Sequence, residues 1–138
     1  MNIKIVLGDK AFMPCKAHSS DGGFDIKTPV NVVVKARKQA TIRTGVYMAI
    51  PEGYVGFLKS KSGLNVKHDL VSEGVIDSGY TGEIVVKIHN LGDRDYVFFK
   101  GDKITQLVIL PIPKVELEEV KKLDETERGA NGFGSSGK

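Results

Sequence analysis

Two aspartates and one glutamine stand out in this sequence as side chains that could take part in hydrolytic chemistry. Asp25 follows two glycines in "DGGFDI", Asp77 lies in "GVIDSGYTGE", and Gln106 interrupts the apolar residues of "GDKITQLVI". A carboxylate can hold a hydrated cation or accept a proton from an attacking water molecule. An amide within an apolar run requires a hydrogen-bonding partner in the protein or in a ligand. The alternative for both aspartates is a structural turn, in which the carboxylate bonds its own backbone.

The stretch "KSKSGL" at 59–64 has the composition of a phosphate-binding loop. It places two hydroxyls, the Lys61 ammonium and Gly63 at the predicted start of a short helix over 62–69, with Ser62 as the N-cap. Free N–H groups at a helix start, together with a cation, favour an anion. An ordinary capped helix with a solvated lysine explains the same residues equally well.

The C-terminal residues "RGANGFGSSGK" combine four glycines with one aromatic side chain, Phe133, and with Arg128. Glycine loses more backbone freedom on ordering than other residues, so this tail cannot hold a structure alone. A phenylalanine and an arginine in such a segment suit a tail that folds onto a bound ligand. A frayed terminus is the alternative, and it is the commoner fate of polar tails.

Composition limits the class of protein. The chain has 138 residues, 41% of them hydrophobic, which is enough for one domain with its own core. The net charge is +3 with both signs mixed along the chain, so we expect no nucleic acid polymer as a partner. No apolar run is long enough for a membrane span, and we expect no membrane partner. Cys15 is the only cysteine, and we expect a cytoplasmic protein, from a bacterial cell or a phage-infected host.

The spacing of β-branched runs predicts an all-β body over 1–113. Short runs of this kind recur about every ten residues, separated by Gly, Pro, Asp and Asn, as in a sandwich or barrel. Asp25 is expected just before a strand, and "GVIDSGYTGEIVV" is predicted to be a β-hairpin with a glycine turn. Residues 114–127 are predicted to open like a strand and continue as a charged arm, and residues 128–138 form the glycine-rich tail.

In chain order, the five quoted stretches are "DGGFDI", "KSKSGL", "GVIDSGYTGE", "GDKITQLVI" and "RGANGFGSSGK". In this order and spacing they resemble the five motifs of the homotrimeric dUTP diphosphatases, the dUTPases. They cover nearly the whole chain from Asp21 to Lys138. The resemblance implies a jelly-roll β-barrel with one short helix and a C-terminal arm, and a homotrimer whose active sites are shared between subunits. It implies Mg²⁺-dependent hydrolysis of dUTP to dUMP and pyrophosphate, by water attack on the α-phosphorus. That reaction would limit uracil in DNA and supply dUMP for thymidylate synthesis.

The resemblance also implies a role for each matching residue. Asp77 would hold the attacking water and the 3′-hydroxyl, Asp25 would hold Mg²⁺ through water, and Gln106 would complete the catalytic set beside the α-phosphate. The residues implied for uracil and deoxyribose are Val75, Ile76, Asp77, Tyr80, Glu83, Ile84, Val85 and Phe133. The residues implied for the phosphates are Lys61, Ser62, Gly63, Gln106, Arg128, Gly134, Ser135 and Ser136.

Lys61 stands where the family's second motif usually has arginine, and lysine lacks the planar fork of a bidentate phosphate contact.

Two rival functions stay open. A dCTP deaminase of the same superfamily would need a glutamate where this chain has Lys87. A regulatory protein, in which bound nucleotide orders the tail and changes the surface offered to a protein partner, is the rival from another class.

Overall fold

A computed structural model describes residues 1–134, so that Ser135 and Ser136 lie outside the described residues. Within that range the chain forms ten strands and one short helix. They are β1 (Lys4–Leu7), β2 (Gly23–Lys27), β3 (Val32–Val34), β4 (Gln39–Ala49), β5 (Tyr54–Lys59), α1 (Ser62–His68), β6 (Leu70–Val71), β7 (Glu73–Ile76), β8 (Glu83–Asn90), β9 (Tyr96–Phe98) and β10 (Lys103–Pro111). No helix of residues 1–134 has the length and apolar character needed to cross a membrane.

The strands form two four-stranded antiparallel sheets and a two-stranded ribbon. One sheet has the order β1-β4-β8-β6, the other has the order β2-β10-β5-β7, and β3 pairs with β9. Side chains along β8 alternate between buried and exposed, so one face of its sheet points into the core. Core side chains from the two larger sheets include Ile42, Val86, Ile26, Leu58 and Leu107. The all-β prediction with one short helix is confirmed.

The predicted hairpin is wrong, because its two strands belong to different sheets. β7 pairs with β5, whereas β8 pairs with β4 and β6. The chain between Asp77 and Gly82 therefore crosses from one sheet to the other instead of closing a two-stranded ladder. Apolar periodicity on both sides of a glycine turn is shared by a hairpin and by such a crossing, and only the tertiary pairing separates them. The crossing opens a gap between the two strands.

Two local predictions also need correction. Lys61, not Ser62, is the N-cap of α1: its backbone is extended, and its carbonyl accepts the first helical bond from the Asn65 N–H at 2.9 Å. Ser62 is the first helical residue, and the Lys61 side chain makes no capping bond. Asp25 lies in the middle of β2 rather than before it, because Phe24 and Gly23 also pair with β10.

The predicted strand after Lys114 is absent from the described residues. β10 ends at Pro111, and residues 112–134 contain no helix or strand. Side chains with strand-like alternation, Val115 and Leu117, are 68% and 97% exposed. A strand needs a neighbouring strand to bond, and no part of this single chain lies beside the segment as a partner within residues 1–134.

Candidate active site

The gap between β7 and β8 is an open cavity of about 230 Å³. Its lining consists of Val75, Ile76, Asp77, Tyr80, Glu83 and Val85. Six of the eight residues predicted for uracil and deoxyribose are therefore brought together. Asp77 is exposed at the mouth, and its carbonyl accepts the Tyr80 N–H at 3.2 Å, which closes the turn. The cavity thus has apolar walls of valine and isoleucine and one free carboxylate.

Tyr80 is held over the turn by a contact that only glycine permits. The Tyr80 hydroxyl donates to the Glu83 carbonyl at 2.9 Å, so the ring lies across Gly82. A Cβ at position 82 would lie 2.5 Å from the Tyr80 hydroxyl oxygen and 2.6 Å from Cζ. Both distances are shorter than van der Waals contact, so any larger residue would displace the ring. The tyrosine is therefore positioned before any ligand binds.

The Glu83 carboxylate is bonded to β4, where it supports a bulge. Its carboxylate accepts bonds from Arg43 Nε at 2.8 Å and from the Gly45 N–H at 2.8 Å. The hydrogen bond from Arg43, followed by that from the Gly45 N–H, lowers the pKa of Glu83 below its ordinary value. Gly45 has a φ of 69°, within the irregular register of the β4–β8 ladder. The carboxylate of Glu83 is therefore already paired with β4, and its carbonyl accepts the Tyr80 hydroxyl.

Ile84 does not line the cavity. Its side chain is only 1% exposed in the hydrophobic core. Its carbonyl accepts the Thr44 hydroxyl at 2.6 Å. Alternation along β8 explains the difference from the neighbouring Val85, whose side chain faces the opposite side of the strand.

A second group, named here the Asp25 cluster, consists of Asp25, Lys61 and Lys103. Lys61 Nζ lies 2.5 Å from Asp25 Oδ1, and Lys103 Nζ lies 2.7 Å from Oδ2. The Asp25 side chain is 8% exposed. Burial raises the pKa of Asp25, but the hydrogen bonds from Lys103 and Lys61 outweigh it and hold that pKa below the ordinary value. The carboxylate is ionised, and each of its oxygens has a cationic partner.

The loop that carries Lys61 is anchored by hydroxyl and amide groups. Gln106 Nε2 donates to the Ser60 carbonyl at 3.2 Å. In the β2–β10 ladder, Gln106 lies opposite Asp25. The Ser72 N–H donates to Ser60 Oγ at 2.9 Å. The Thr105 hydroxyl donates to the Lys59 carbonyl at 2.9 Å. Ser62 and Gly63 are exposed beside this anchored loop, so their surfaces are accessible to an anion.

Sequence reasoning missed Lys103, Ser72 and Thr105. Lys103 stands inside the quoted stretch "GDKITQLVI", but a lysine at the start of a strand usually reads as a solvated charge. Ser72 and Thr105 are 2% and 0% exposed, and their hydroxyls lie 2.6 Å apart. A hydroxyl gives no periodic signal in a strand, so only the structure reveals this pair.

The β7–β8 cavity and the Asp25 cluster are separated within the single chain. Lys61 follows β5 and Asp77 follows β7, and these two strands are antiparallel neighbours. The residues after each strand therefore lie at opposite ends of their ladder. Four residue pairs make up the ladder, which spans about 10 Å at the usual rise of a strand. One copy of the chain does not bring the two groups together.

The described part of the tail makes only local contacts. Arg128 Nε donates to the Asn131 carbonyl at 3.0 Å, and the Asn131 N–H donates to the Arg128 carbonyl at 3.1 Å. The Phe133 ring is fully exposed, and Gly134 is exposed beside it. Neither Arg128 nor Phe133 therefore meets the β7–β8 cavity or the Asp25 cluster in this chain.

Known proteins resemble the chain over nearly its full length. The sequence model of the dUTPase family matches residues 9–137. A deoxyuridine 5′-triphosphate nucleotidohydrolase of Clostridium acetobutylicum is 40% identical, over 99% of this chain and 97% of the relative. The dUTPase of Staphylococcus bacteriophage 80alpha, solved with dUpNHpp, is 36% identical with a TM-score of 0.89, over 99% of this chain and 98% of that one.

A further solved structure, a mutant dUTPase from phage phi11 of S. aureus, is described as coordinating a structural Mg(II) ion. It is 33% identical with a TM-score of 0.83, over 91% of this chain and 100% of that one. These likenesses in sequence and in fold confirm the resemblance drawn from the five motifs. The chain therefore belongs to the dUTPase family of nucleotide hydrolases.

Proposed function

We propose that this chain hydrolyses dUTP to dUMP and pyrophosphate. Its membership of the dUTPase family supports the activity. The observation that carries the proposal at the level of residues is the β7–β8 cavity, with the Asp77 carboxylate free at its mouth and Tyr80 fixed across Gly82. Apolar walls, one polar edge and one free carboxylate suit a small planar base joined to a sugar and a reaction centre.

Uracil would enter the cavity edge-on and meet the main chain between the two sheets. Val75 and Val85 would contact its faces, and the narrow gap would exclude the methyl group of thymine. Cytosine presents the reverse donor and acceptor pattern and would leave main-chain groups unpaired. Tyr80 would pack against deoxyribose and disfavour a 2′-hydroxyl. Phe133 of the tail would stack on the exposed face of the base.

The Asp25 cluster and its loop would receive the phosphates. Lys61, Ser62 and Gly63 offer an ammonium, a hydroxyl and accessible N–H groups, and Gln106 would lie beside the α-phosphate. Arg128, Gly134, Ser135 and Ser136 would close over the β- and γ-phosphates, although Ser135 and Ser136 lie outside the described residues. Closure of the tail would exclude bulk water and fix the triphosphate in a reactive conformation.

Asp77 would orient the attacking water and accept its proton. The water oxygen forms a bond to the α-phosphorus as the bond to the bridging oxygen of pyrophosphate breaks, so that dUMP and pyrophosphate separate. Asp77 is exposed, so its carboxylate is accessible to water and to a ligand. An accessible carboxylate suits a base that must bind both water and the 3′-hydroxyl.

The residues present fit Mg²⁺ held largely by the substrate. Mg²⁺ keeps several waters and is commonly bound through one or two carboxylates plus substrate phosphates. Residues 1–134 hold no cluster of three or more His, Cys, Asp or Glu side chains that could bind a metal. Asp25, whose oxygens are bonded to Lys61 and Lys103, would hold the ion through water. When bound, the ion would neutralise charge on the leaving pyrophosphate.

A homotrimer with shared sites would bring the separated parts together. The two groups lie at opposite ends of one ladder in each chain, so a base held in the β7–β8 cavity of one subunit would place its phosphates at the Asp25 cluster of a neighbour. The body (1–113) would carry both half-sites, the arm (114–127) would lead to a neighbouring subunit, and the tail (128–138) would close a site there. The exposed side chains of Val115 and Leu117 suit an arm that packs against another subunit.

Product analysis tests the function directly. The protein is incubated with dUTP, dCTP, dTTP or UTP and Mg²⁺, with and without EDTA. We expect dUMP and pyrophosphate from dUTP alone, suppressed by EDTA. Consumption of dCTP would mean that Lys87 fails to separate this chain from the deaminases. Binding of dUTP without hydrolysis would overturn the proposal in favour of a regulatory role with a protein partner.

A further inference from the structure

Lys103 reaches Asp25 because of a β-bulge. Gln106 lies opposite Asp25 and Thr105 lies opposite Ile26, but Lys103 lies opposite Lys27, so Ile104 is an extra residue. Residues that face each other across a ladder share one side of the sheet, and a bulge shifts every later side chain to the other side. Without the bulge, Lys103 would point into the core face. With it, the ammonium lies on the side of Asp25.

The bulge has a matching signature in the core. Ile104 and the next residue, Thr105, are 1% and 0% exposed, although neighbours in a regular strand alternate between faces. Two consecutive buried side chains are what an inserted residue produces. The position of Lys103 is therefore fixed by the sheet, whereas Lys61 stands on the loop before α1.

Lys61 has two competing partners. Its ammonium is bonded to Asp25 in the free protein, and the same ammonium is the proposed phosphate ligand. Its three N–H donors could be divided between the two, but a phosphate that draws the ammonium toward itself lengthens and weakens the contact with Asp25. We propose that Asp25 and the nucleotide phosphates compete for Lys61, and that Lys103 is a positioning residue that sets the balance by holding the other oxygen of Asp25. The inference rests on the proposed function for the identity of the ligand.

Lys103 favours release of Lys61 for an electrostatic reason. With two ammonium partners, the single negative charge of Asp25 is shared, and the two cations also repel each other. Loss of Lys61 from the cluster leaves Asp25 paired with Lys103 and therefore not stranded as a buried, uncompensated charge. Without Lys103, the whole charge of Asp25 would hold Lys61, and a phosphate would have to break a stronger pair.

The first test measures binding of dUpNHpp to the full chain in EDTA, by calorimetry. Asp25→Asn removes the competitor, and we expect the dissociation constant to fall about threefold to tenfold. If Asp25 acts by occupying Lys61, the same substitution has no effect in a Lys61→Met background. If Asp25 acts only by repelling the phosphates at a distance, the improvement persists in that background and the inference is wrong.

The second test addresses Lys103 and leaves Asp25 in place. Lys103→Met should raise the dissociation constant about threefold in EDTA, and Lys103→Arg should restore it, because arginine keeps the ion pair. In the Asp25→Asn background, Lys103→Met should change the dissociation constant no more than the control substitution Lys59→Met does. This matched control removes one positive charge from an exposed ion pair with Glu73 and should change binding less than twofold. A full Lys103→Met effect without Asp25 would mean a direct phosphate contact and would overturn the positioning role.

The two proposals can fail separately. If dUTP is not hydrolysed but the binding series behaves as described, the proposed function is wrong and the competition stands. If dUpNHpp does not bind the unsubstituted chain, inorganic tripolyphosphate is titrated through the same variants, because it needs only the anion site. Equal affinity of all the variants for tripolyphosphate would overturn the competition whatever the reaction turns out to be.

Discussion

The β7–β8 cavity and the Asp25 cluster lie at opposite ends of one ladder and are built in opposite ways. The cavity forms where the chain leaves one sheet for the other, so its polar edge is main chain and its one carboxylate, Asp77, is exposed. The cluster forms within a sheet, and the Asp25 carboxylate is buried between Lys61 and Lys103. One region offers free groups in a fixed shape, and the other offers groups that are already paired.

This difference predicts how each region would bind a ligand. A preformed gap selects by shape and by unpaired main-chain groups, which cost nothing to reorganise. A paired cluster must exchange one partner for another, so its affinity depends on a balance of charges. Substitutions in the cavity should therefore change the rate and the choice of base, whereas substitutions in the cluster should change affinity for phosphates and its dependence on salt.

The largest effect is expected from Asp77→Asn in the cavity. The amide keeps the size of the side chain but cannot accept a proton from water, so kcat should fall by roughly 10²–10⁴. Because Asp77 is exposed, the melting temperature should stay within a few degrees. Pyrophosphate release and thermal unfolding measure the two quantities. Asp93→Asn, in an exposed pair with Arg37, is the matched control and should keep full activity. Equal losses in both variants would contradict the role of Asp77.

Deletion of residues 128–138 tests which region the tail serves. Phe133 is proposed for the base and Arg128 for the phosphates, so the truncated chain should lose most of its turnover. The fold should persist, because the hydrogen bonds of Arg128 are local. Turnover, melting temperature and oligomer size are measured on the same preparation.

Comparison of Phe133→Ala with Arg128→Ala then separates the tail's contribution to binding the base from its contribution to binding the phosphates. Loss of stacking should weaken binding of dUMP, whereas loss of the guanidinium should affect only nucleotides that carry β- and γ-phosphates. A tailless protein with near-normal turnover would show that neither region needs the tail.

Gly82→Ala sharpens the comparison with a single methyl group. The new Cβ would collide with the Tyr80 ring, so kcat/KM for dUTP should fall about tenfold and preference over UTP should weaken. Gly22→Ala, just before β2, is the matched control, because a Cβ there meets nothing within 4 Å. The measurement is kcat/KM with dUTP and with UTP for both variants. An unchanged preference in Gly82→Ala would mean that Tyr80 does not read the sugar.

The family, the all-β class and the positions of most strands could be predicted from sequence because they depend on local signals. β-branched runs bounded by glycine and proline mark strands whatever their partners, and the "EIVV" that ends the stretch "GVIDSGYTGEIVV" lies in β8 (Glu83–Asn90). The order of the five motifs likewise needs no pairing information. The grouping of six predicted residues around the β7–β8 cavity follows from their closeness in the chain.

What the sequence could not supply depends on pairing between distant strands. The false hairpin arose because periodicity does not say that β7 joins β5 while β8 joins β4. Lys103 was missed because the bulge at Ile104 decides which face its side chain takes. The structural role of Glu83 was missed because Arg43 lies 40 residues away in the sequence.

The smallest effect is expected from Glu83→Gln, which tests the support beneath the cavity. The folded-state pKa of Glu83 is lowered, first by Arg43 and then by the Gly45 N–H, so its charge stabilises the fold above the ordinary carboxyl pKa of 4.5. That contribution is lost as the pH falls from 4.5 through the lower folded-state pKa. Glu83→Gln should therefore lower the free energy of unfolding by about 1 kcal/mol at pH 7. Near pH 3 the melting temperature of the variant should approach that of the unsubstituted protein. Glu73→Gln, in the exposed pair with Lys59, should change little at either pH. A gap that stays constant from pH 7 to pH 3 would mean that the shape of the Glu83 side chain, and not its charge, supports the bulge below the cavity.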